Sequence, residues 1–105
     1  MPEPFELIYA ESIPEHLRAI EPQYRSLIRH TIERQFAFEP ALETPNRKPL
    51  TRPSRFGAAW ELRFGPGNRF RVFYRVQSAA REVHVLAIGT KVGNRLCIAG
   101  QEWEP

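Results

Sequence analysis

Four arginines recur at alternating positions in a segment whose other residues are largely apolar, a pattern typical of β-strands. They are Arg63, Arg69, Arg71 and Arg75. Because side chains two residues apart lie on one face of a strand, the last three are predicted to stand together, and Arg63 can join them from a neighbouring strand. Guanidinium groups gathered without carboxylates repel one another, and a phosphate chain would supply the missing negative charge. The alternative is a solvated strand face that binds no ligand.

Further residues extend this basic surface. Phe73 is predicted to share the face of the arginines, where a nucleic-acid base could stack on its ring; the alternative is that Phe73 belongs to a second buried layer. Residues 39–57 contain four prolines and are predicted to form a loop rather than a helix or a central strand. Loops of this length are often functional, and a passive linker is the alternative. The basic residues of the loop are Arg47, Lys48, Arg52 and Arg55.

Charge is distributed unevenly along the chain. Residues 1–46 contain four Arg and eight Glu, a balance of −4, whereas residues 47–105 contain eleven Lys and Arg and four Glu, a balance of +7. This asymmetry favours a partner that is a polyanion. The length of 105 residues predicts a single domain over 1–105.

Other kinds of chemistry find little support in the sequence. The single cysteine, Cys97, excludes an intrachain disulfide and a Cys-cluster zinc site, and the three histidines lack ligand spacing, so we expect no metal and no cofactor. Gly65-Pro66-Gly67 indicates a turn rather than a phosphate-binding loop, because no helix follows it. No apolar run reaches the roughly 20 residues that span a bilayer, so we expect no membrane partner. The acidic start differs from a signal peptide and predicts a cytoplasmic protein.

The elements that must position the arginines follow from periodicity. Alternation predicts a short strand over 5–9, and Ser12 and Glu15 form a capping-box pattern that predicts a helix from there to about Ile20. Apolar residues at helical spacing predict a longer helix over 24–36. Strands are predicted over 60–64, 69–76 and 83–88, with Ala87 on the face of Val85, and a shorter strand over 95–99. The fold class is α+β: an N-terminal strand, a helical hairpin and a β-meander that the hairpin covers on one face.

The chain resembles the RelE/ParE superfamily of toxins from bacterial type II toxin–antitoxin systems. The resemblance lies in the order of elements and in these stretches: Arg47-Lys48-Pro49-Leu50, Gly57 with Trp60-Glu61-Leu62-Arg63, Asn68-Arg69-Phe70-Arg71-Val72-Phe73-Tyr74, and Val85-Leu86-Ala87-Ile88-Gly89-Thr90-Lys91 with Asn94-Arg95-Leu96. It implies a RelE-like two-layer fold, with two helices on a strongly twisted antiparallel sheet. It also implies a cognate antitoxin as partner, whose C-terminal segment covers the basic surface.

The resemblance also implies an activity and residues for it. In RelE-like members the toxin enters the ribosomal A site and cuts mRNA without a metal, by attack of the ribose 2′-OH on the adjacent phosphate. Arg63, Arg71 and either Lys91 or Arg95 would hold that phosphate and stabilise its developing charge. Glu61 stands where RelE enzymes carry a Lys, and it either acts as a general base or pairs with an arginine across the strands. The other residues of the basic surface would bind RNA, and they are Arg47, Lys48, Arg52, Arg55, Arg69, Phe73 and Arg75.

A second departure concerns the C-terminal Tyr of RelE enzymes. This chain has Cys97 or Ile98 at that position, a difference that bears on cleavage and not on binding. We expect a ribosome-dependent mRNA endonuclease, or mRNA interferase, that inhibits translation. Two alternatives are a ParE-like inhibitor of DNA gyrase and a non-toxic member that binds only RNA or an antitoxin.

Overall fold

The computed structural model describes residues 3–52 and 54–103. Within them, the helices are α1 (Ile13–Arg18) and α2 (Arg25–Gln35), and short 3₁₀ turns lie at Pro22–Tyr24 and Pro66–Asn68. The strands are β1 (Glu6–Tyr9), β2 (Arg47–Pro49), β3 (Trp60–Phe64), β4 (Phe70–Gln77), β5 (Glu82–Val92), β6 (Arg95–Ile98) and β7 (Gln101–Trp103). Neither helix in this part of the chain is long and apolar enough to cross a membrane.

The strands form one sheet that is antiparallel from β2 to β7. Its order is β2-β3-β4-β5-β6-β7, and each neighbouring pair on this path is antiparallel. β1 pairs in parallel with the start of β5, with Glu6 opposite Glu82 and Tyr9 opposite Val85. β6 pairs with the end of β5 on the same edge, because β4 occupies the other edge. The predicted α+β fold is confirmed, and the parallel pairing of β1 is a feature that the prediction lacked.

Both helices pack on one face of the sheet and form the main core with it. Ile28 and Ile32 of α2 are buried, and Phe36 packs on Tyr74 of β4 with ring centroids 4.1 Å apart. Fully burying each such side chain contributes about 1.5–3 kcal/mol to stability. The Tyr74 hydroxyl donates a hydrogen bond to the Pro40 carbonyl at 2.8 Å, and burial raises the pKa of this tyrosine. Tyr74 therefore fixes the segment after α2 to the centre of the sheet.

The opposite face of the sheet carries a second, smaller core. Its buried members are Ala58, Phe73, Ala87 and Ile98, and Leu50, Phe56, Leu86, Leu96 and Trp103 pack against them. The segment between β2 and β3 and the last two strands therefore fold across this face. Gly89 permits this close approach, because a Cβ atom there would lie 2.8 Å from the carbonyl oxygen of Cys97.

A β-bulge in β5 changes which side chains enter the second core. Phe73 pairs with Ala87, whereas the next residue, Tyr74, pairs with Val85, so that Leu86 is an extra residue in β5. An extra residue shifts the alternation of a strand by one position. The prediction that Ala87 shares a face with Val85 is therefore wrong.

The ends of α1 also differ from the prediction. α1 ends at Arg18 rather than near Ile20, and the Ser12 side chain makes no capping hydrogen bond, so the capping-box prediction is wrong. Arg25 caps the C-terminal end of α1. Its Nε donates to the Leu17 carbonyl at 3.3 Å and its Nη2 donates to the Ile20 carbonyl at 3.4 Å. A cation there complements the helix dipole.

Candidate nucleic-acid interface

Glu61, Arg63 and Arg71 form a cluster on the face of the sheet away from the helices, and we call it the Glu61 cluster. Arg63 of β3 lies directly opposite Arg71 of β4. Glu61 Oε1 accepts hydrogen bonds from Arg63 Nε and, at 3.4 Å, from Arg71 Nη1. The side chains of Glu61 and Arg71 are only 11% and 10% exposed, whereas that of Arg63 is 41% exposed. The prediction that these arginines lack a carboxylate partner is wrong, and the interpretation of Glu61 as that partner is confirmed.

Arg71 is also held from a second side. Its Nε donates to the Asn68 carbonyl, 3.1 Å away, in the turn that leads into β4. Asn68 has a φ of +54°, in the left-handed region that asparagine tolerates better than most residues. Burial lowers the pKa of Arg71, and the Glu61 carboxylate opposes that shift. Because an arginine stays charged at neutral pH in either case, Arg71 is a positive charge with a fixed direction.

An open groove begins beside Arg71, between the β3–β4 and β5–β6 turns, and we call it the turn groove. Its basic residues are Arg69, Arg71 and Lys91, and its volume is about 570 Å³. The other lining residues are Pro66, Gly67, Val92 and Gly93. A hydrogen bond of 2.7 Å from the Lys91 N–H to the Arg69 carbonyl holds the two sides together. Among the three cations of the described lining, Arg71 and Arg69 contact carboxylates outside the groove, those of Glu61 and Glu21, and the groove with Lys91 beside them suits a phosphate group.

Arg69 directs its charge away from Arg71. Its Nη2 donates to Glu21 Oε1 at 2.6 Å, and its guanidinium carbon lies 5.3 Å from the Tyr24 ring centroid and 5.5 Å from that of Phe70. The hydrogen bond to Glu21 raises the pKa of Arg69. Arg69 precedes the first residue of β4, so the alternation of the strand does not fix its direction. The prediction that Arg69 stands in line with Arg71 is therefore wrong.

β2 lies within the predicted loop over 39–57 and places two adjacent basic residues, Arg47 and Lys48, on opposite faces of the sheet. Arg47 is 7% exposed, and its Nη1 donates to the carbonyl of Gln35, the last residue of α2. This corrects the prediction that Arg47 is free to bind RNA, because its charge is used as a helix cap. Lys48 is exposed and lies opposite Glu61, so it belongs to the face of the Glu61 cluster.

Phe73 lies between the two basic residues of β4, Arg71 and Arg75. It is 2% exposed and packs edge-on against Phe56, with ring centroids 5.8 Å apart. Phe73 is therefore not available to stack on a base as predicted, and the alternative of a second buried layer is confirmed. Arg75 is exposed two residues further along β4, opposite His84. The four arginines consequently do not form one continuous row.

Three more of the predicted site residues are exposed but lie outside the Glu61 cluster. Arg52 and Arg55 belong to the segment between β2 and β3, where Arg55 lies beside Trp103 of β7. Arg95 begins β6 opposite Val92 and does not line the turn groove. Of the two alternatives for the third phosphate-binding position, Lys91 is the one that lines the groove.

The two residues at the position of the RelE tyrosine point to different sides of the sheet. Ile98 is buried in the second core, and Cys97 lies opposite Thr90 and lines a small cavity with His16. No group of three His, Cys, Asp or Glu side chains within residues 3–52 and 54–103 could hold a metal ion. Asn68, which orients Arg71, was not among the predicted site residues, and the Gly-Pro-Gly-Asn turn before β4 was the available signal.

Comparisons with known proteins bear on the fold. No protein-family model and no curated protein matches the sequence. Among solved structures, a chain in the crystal structure of the toxin–antitoxin complex RelBE2 from Mycobacterium tuberculosis is similar, with a TM-score of 0.66 and 15% sequence identity. The similarity covers 87% of this chain and 95% of that chain. The protein therefore has the RelE-like α+β fold that its sequence predicts.

Proposed function

We propose that this protein is the toxin of a type II toxin–antitoxin system and that it is a ribosome-dependent mRNA endonuclease. The fold that it shares with a chain of a toxin–antitoxin complex supports the first part. The second part is carried by one observation: Arg71 belongs to the Glu61 cluster and also lines the turn groove together with Lys91. The partners are then a cognate antitoxin, mRNA and the ribosome, and the compartment is the cytoplasm.

The main requirement of the proposed reaction is positive charge beside the reacting phosphate. The ribose 2′-oxygen bonds to phosphorus as its proton passes to water, and the P–O5′ bond then breaks as the 5′-oxygen takes a proton from water, which leaves a 2′,3′-cyclic phosphate and a 5′-hydroxyl. Negative charge accumulates on the phosphorane between these two events. A preorganised donor aimed at such charge typically lowers a barrier by about 2.7–4 kcal/mol. Arg71 is preorganised in this sense by the Asn68 carbonyl, which accepts a hydrogen bond from its Nε. Lys91 would neutralise the same phosphate from the groove, and the more exposed Arg63 would contact it from β3.

Growth arrest and mRNA cleavage after induction in bacterial cells test the proposal. We expect the wild type to stop growth and primer extension to show cuts at the ribosomal A site. Arg71→Gln should relieve both, while Arg34→Gln, which removes an exposed charge from α2, should relieve neither. Glu61 retains Arg63 as a partner in the Arg71 variant, so a melting temperature close to that of the wild type is expected. Undiminished cleavage by a folded Arg71→Gln protein would refute the assigned role.

Inhibition of DNA gyrase is the second candidate. The position of the RelE tyrosine is filled by Cys97 or Ile98, and Glu61 neutralises part of the basic surface; both features favour an activity that does not cut RNA. The same induced cultures separate the candidates. DNA-damage signalling without mRNA cuts would support gyrase inhibition and overturn the endonuclease.

A further inference from the structure

The Glu61 carboxylate occupies a position that suits the oxygen of a bound phosphate. One atom, Glu61 Oε1, accepts hydrogen bonds from two guanidinium groups that face each other across β3 and β4. Carboxylate and phosphate oxygens accept guanidinium N–H groups in the same way. A phosphate that is to be held between Arg63 and Arg71 must therefore take the place of this carboxylate.

The charges of the cluster explain why an internal anion is present. Two arginines directly opposite each other in antiparallel strands destabilise the sheet, and Arg71 is too deeply buried to be screened well by water. Glu61 relieves this repulsion while the site is empty. An external phosphate must break the contacts of Glu61 with Arg63 and Arg71. Those contacts therefore oppose phosphate binding.

Lys48 offers the displaced carboxylate a second partner. It lies opposite Glu61 in the β2–β3 register and is exposed. Side chains opposite each other in an antiparallel pair have Cβ atoms about 4.5–5.5 Å apart, which a long lysine side chain spans easily. A rotation of the Glu61 side chain towards β2 would therefore exchange its two arginine partners for Lys48 without leaving the carboxylate unpaired.

We propose that Glu61 is a built-in competitor for phosphate, and that binding exchanges its contact with Arg63 and Arg71 for a contact with Lys48. Glu61 then determines how tightly an anion is held in the Glu61 cluster. The inference rests on the proposed function only where it names that anion as an RNA phosphate. It differs from a role as general base, in which the carboxylate would stay beside the reacting ribose and would not compete.

Binding measurements with two probes test the competition. The probes are inorganic pyrophosphate and a labelled single-stranded RNA whose riboses carry 2′-deoxy substitutions that prevent cleavage. Glu61→Gln should bind pyrophosphate about tenfold more tightly than the wild type, since loss of a charge-assisted contact worth about 1.4 kcal/mol corresponds to that factor. The matched control is Glu82→Gln, which removes the same charge from the half-buried Glu82 on β5, where it contacts His84. The control should change affinity less than about twofold, because it leaves the cluster intact.

The outcomes separate the inference from the proposed function. Equal affinities of Glu61→Gln and Glu82→Gln for pyrophosphate would overturn the competition, whatever the RNA result. Tighter pyrophosphate binding without any RNA binding would support the competition and overturn the assignment of an RNA phosphate as the anion. If Glu61→Gln does not fold, the wild type provides the same test through the ¹³C signal of the Glu61 carboxyl during pyrophosphate titration. That signal should move as the carboxylate is displaced, and a stationary signal at saturation would overturn the proposal.

Discussion

Arg47 supports the fold, whereas the adjacent Lys48 lies on the face proposed to bind a ligand, and replacing each residue in turn distinguishes these two roles. Arg47 and Lys48 are adjacent in β2 and carry the same charge, but they lie on opposite faces of the sheet. Arg47 caps α2 through the Gln35 carbonyl, and its Nε is buried without a hydrogen-bond partner among the described residues. Lys48 is exposed. We expect Arg47→Ala to destabilise the protein and Lys48→Ala to leave its stability almost unchanged.

The expected size follows from three contributions. Loss of a charge-assisted hydrogen bond to the Gln35 carbonyl costs about 1.5–3 kcal/mol. Loss of the packed aliphatic stem of Arg47 adds about 1–2 kcal/mol. Removal of the unpaired Nε returns about 1–3 kcal/mol, because a buried donor without a partner is unfavourable. The middle of each range gives a net loss of about 2 kcal/mol for Arg47→Ala, or roughly 8–16 °C in melting temperature for a domain of this size.

Urea unfolding and thermal melting measure this difference directly. The Arg47→Ala protein should show a lower midpoint in both experiments, and Lys48→Ala should stay within about 0.5 kcal/mol of the wild type. RNA binding by the folded fraction of Arg47→Ala should match that of the wild type. The reasoning would be refuted if Arg47→Ala kept the wild-type stability and instead lost affinity for RNA.

Two further predictions concern His16 and Gly89. Burial lowers the pKa of His16, and its Nδ1 accepts a hydrogen bond from the Ile88 N–H at 3.2 Å, so the neutral form stabilises the fold. That stability should be complete above the unfolded pKa of about 6.5 and be lost as the pH falls below it. The urea midpoint should therefore drop between pH 7.5 and pH 5, and His16→Asn, an acceptor that does not titrate, should reduce the drop; an equal drop in both proteins would contradict this. Gly89→Ala should lower the melting temperature, since its Cβ would lie 2.8 Å from the Cys97 carbonyl oxygen and overpacking costs about 1–3 kcal/mol. An unchanged melting temperature would show that β6 moves away at no cost.

The local pattern of the sequence predicts most of the elements. Strand β3 has the predicted bounds, and α2 differs from its predicted range by one residue at each end, because long stretches of regular periodicity depend little on the rest of the chain. The bulge at Leu86 was not predictable from alternation, since it depends on the pairing of β5 with β4. The burial of Phe73 is long-range in another way, because Phe56 from the segment between β2 and β3 packs against its ring.

The candidate site was harder to predict than the elements. The residue types were identified, but their partners lie far away in the sequence: Arg69 meets Glu21, 48 residues earlier, and Arg47 meets Gln35, 12 residues earlier. Charge counts along the chain cannot reveal such contacts. Glu61 was the exception, because a pair with an arginine across the strands was predicted for it, and Arg71 of β4 forms that pair.

The claim that Arg71 and Lys91 bind a phosphodiester can be tested most directly by NMR titration of the wild-type protein. The ligand is the same 2′-deoxy-substituted RNA, and the observed signals are the Nε–H groups of the arginines and the ammonium group of Lys91. The signals of Arg71 and Lys91 should shift in a saturable way, while that of the buried Arg47 should not. Shifts confined to Arg55 and its neighbours, with Arg71 unmoved at saturation, would contradict it.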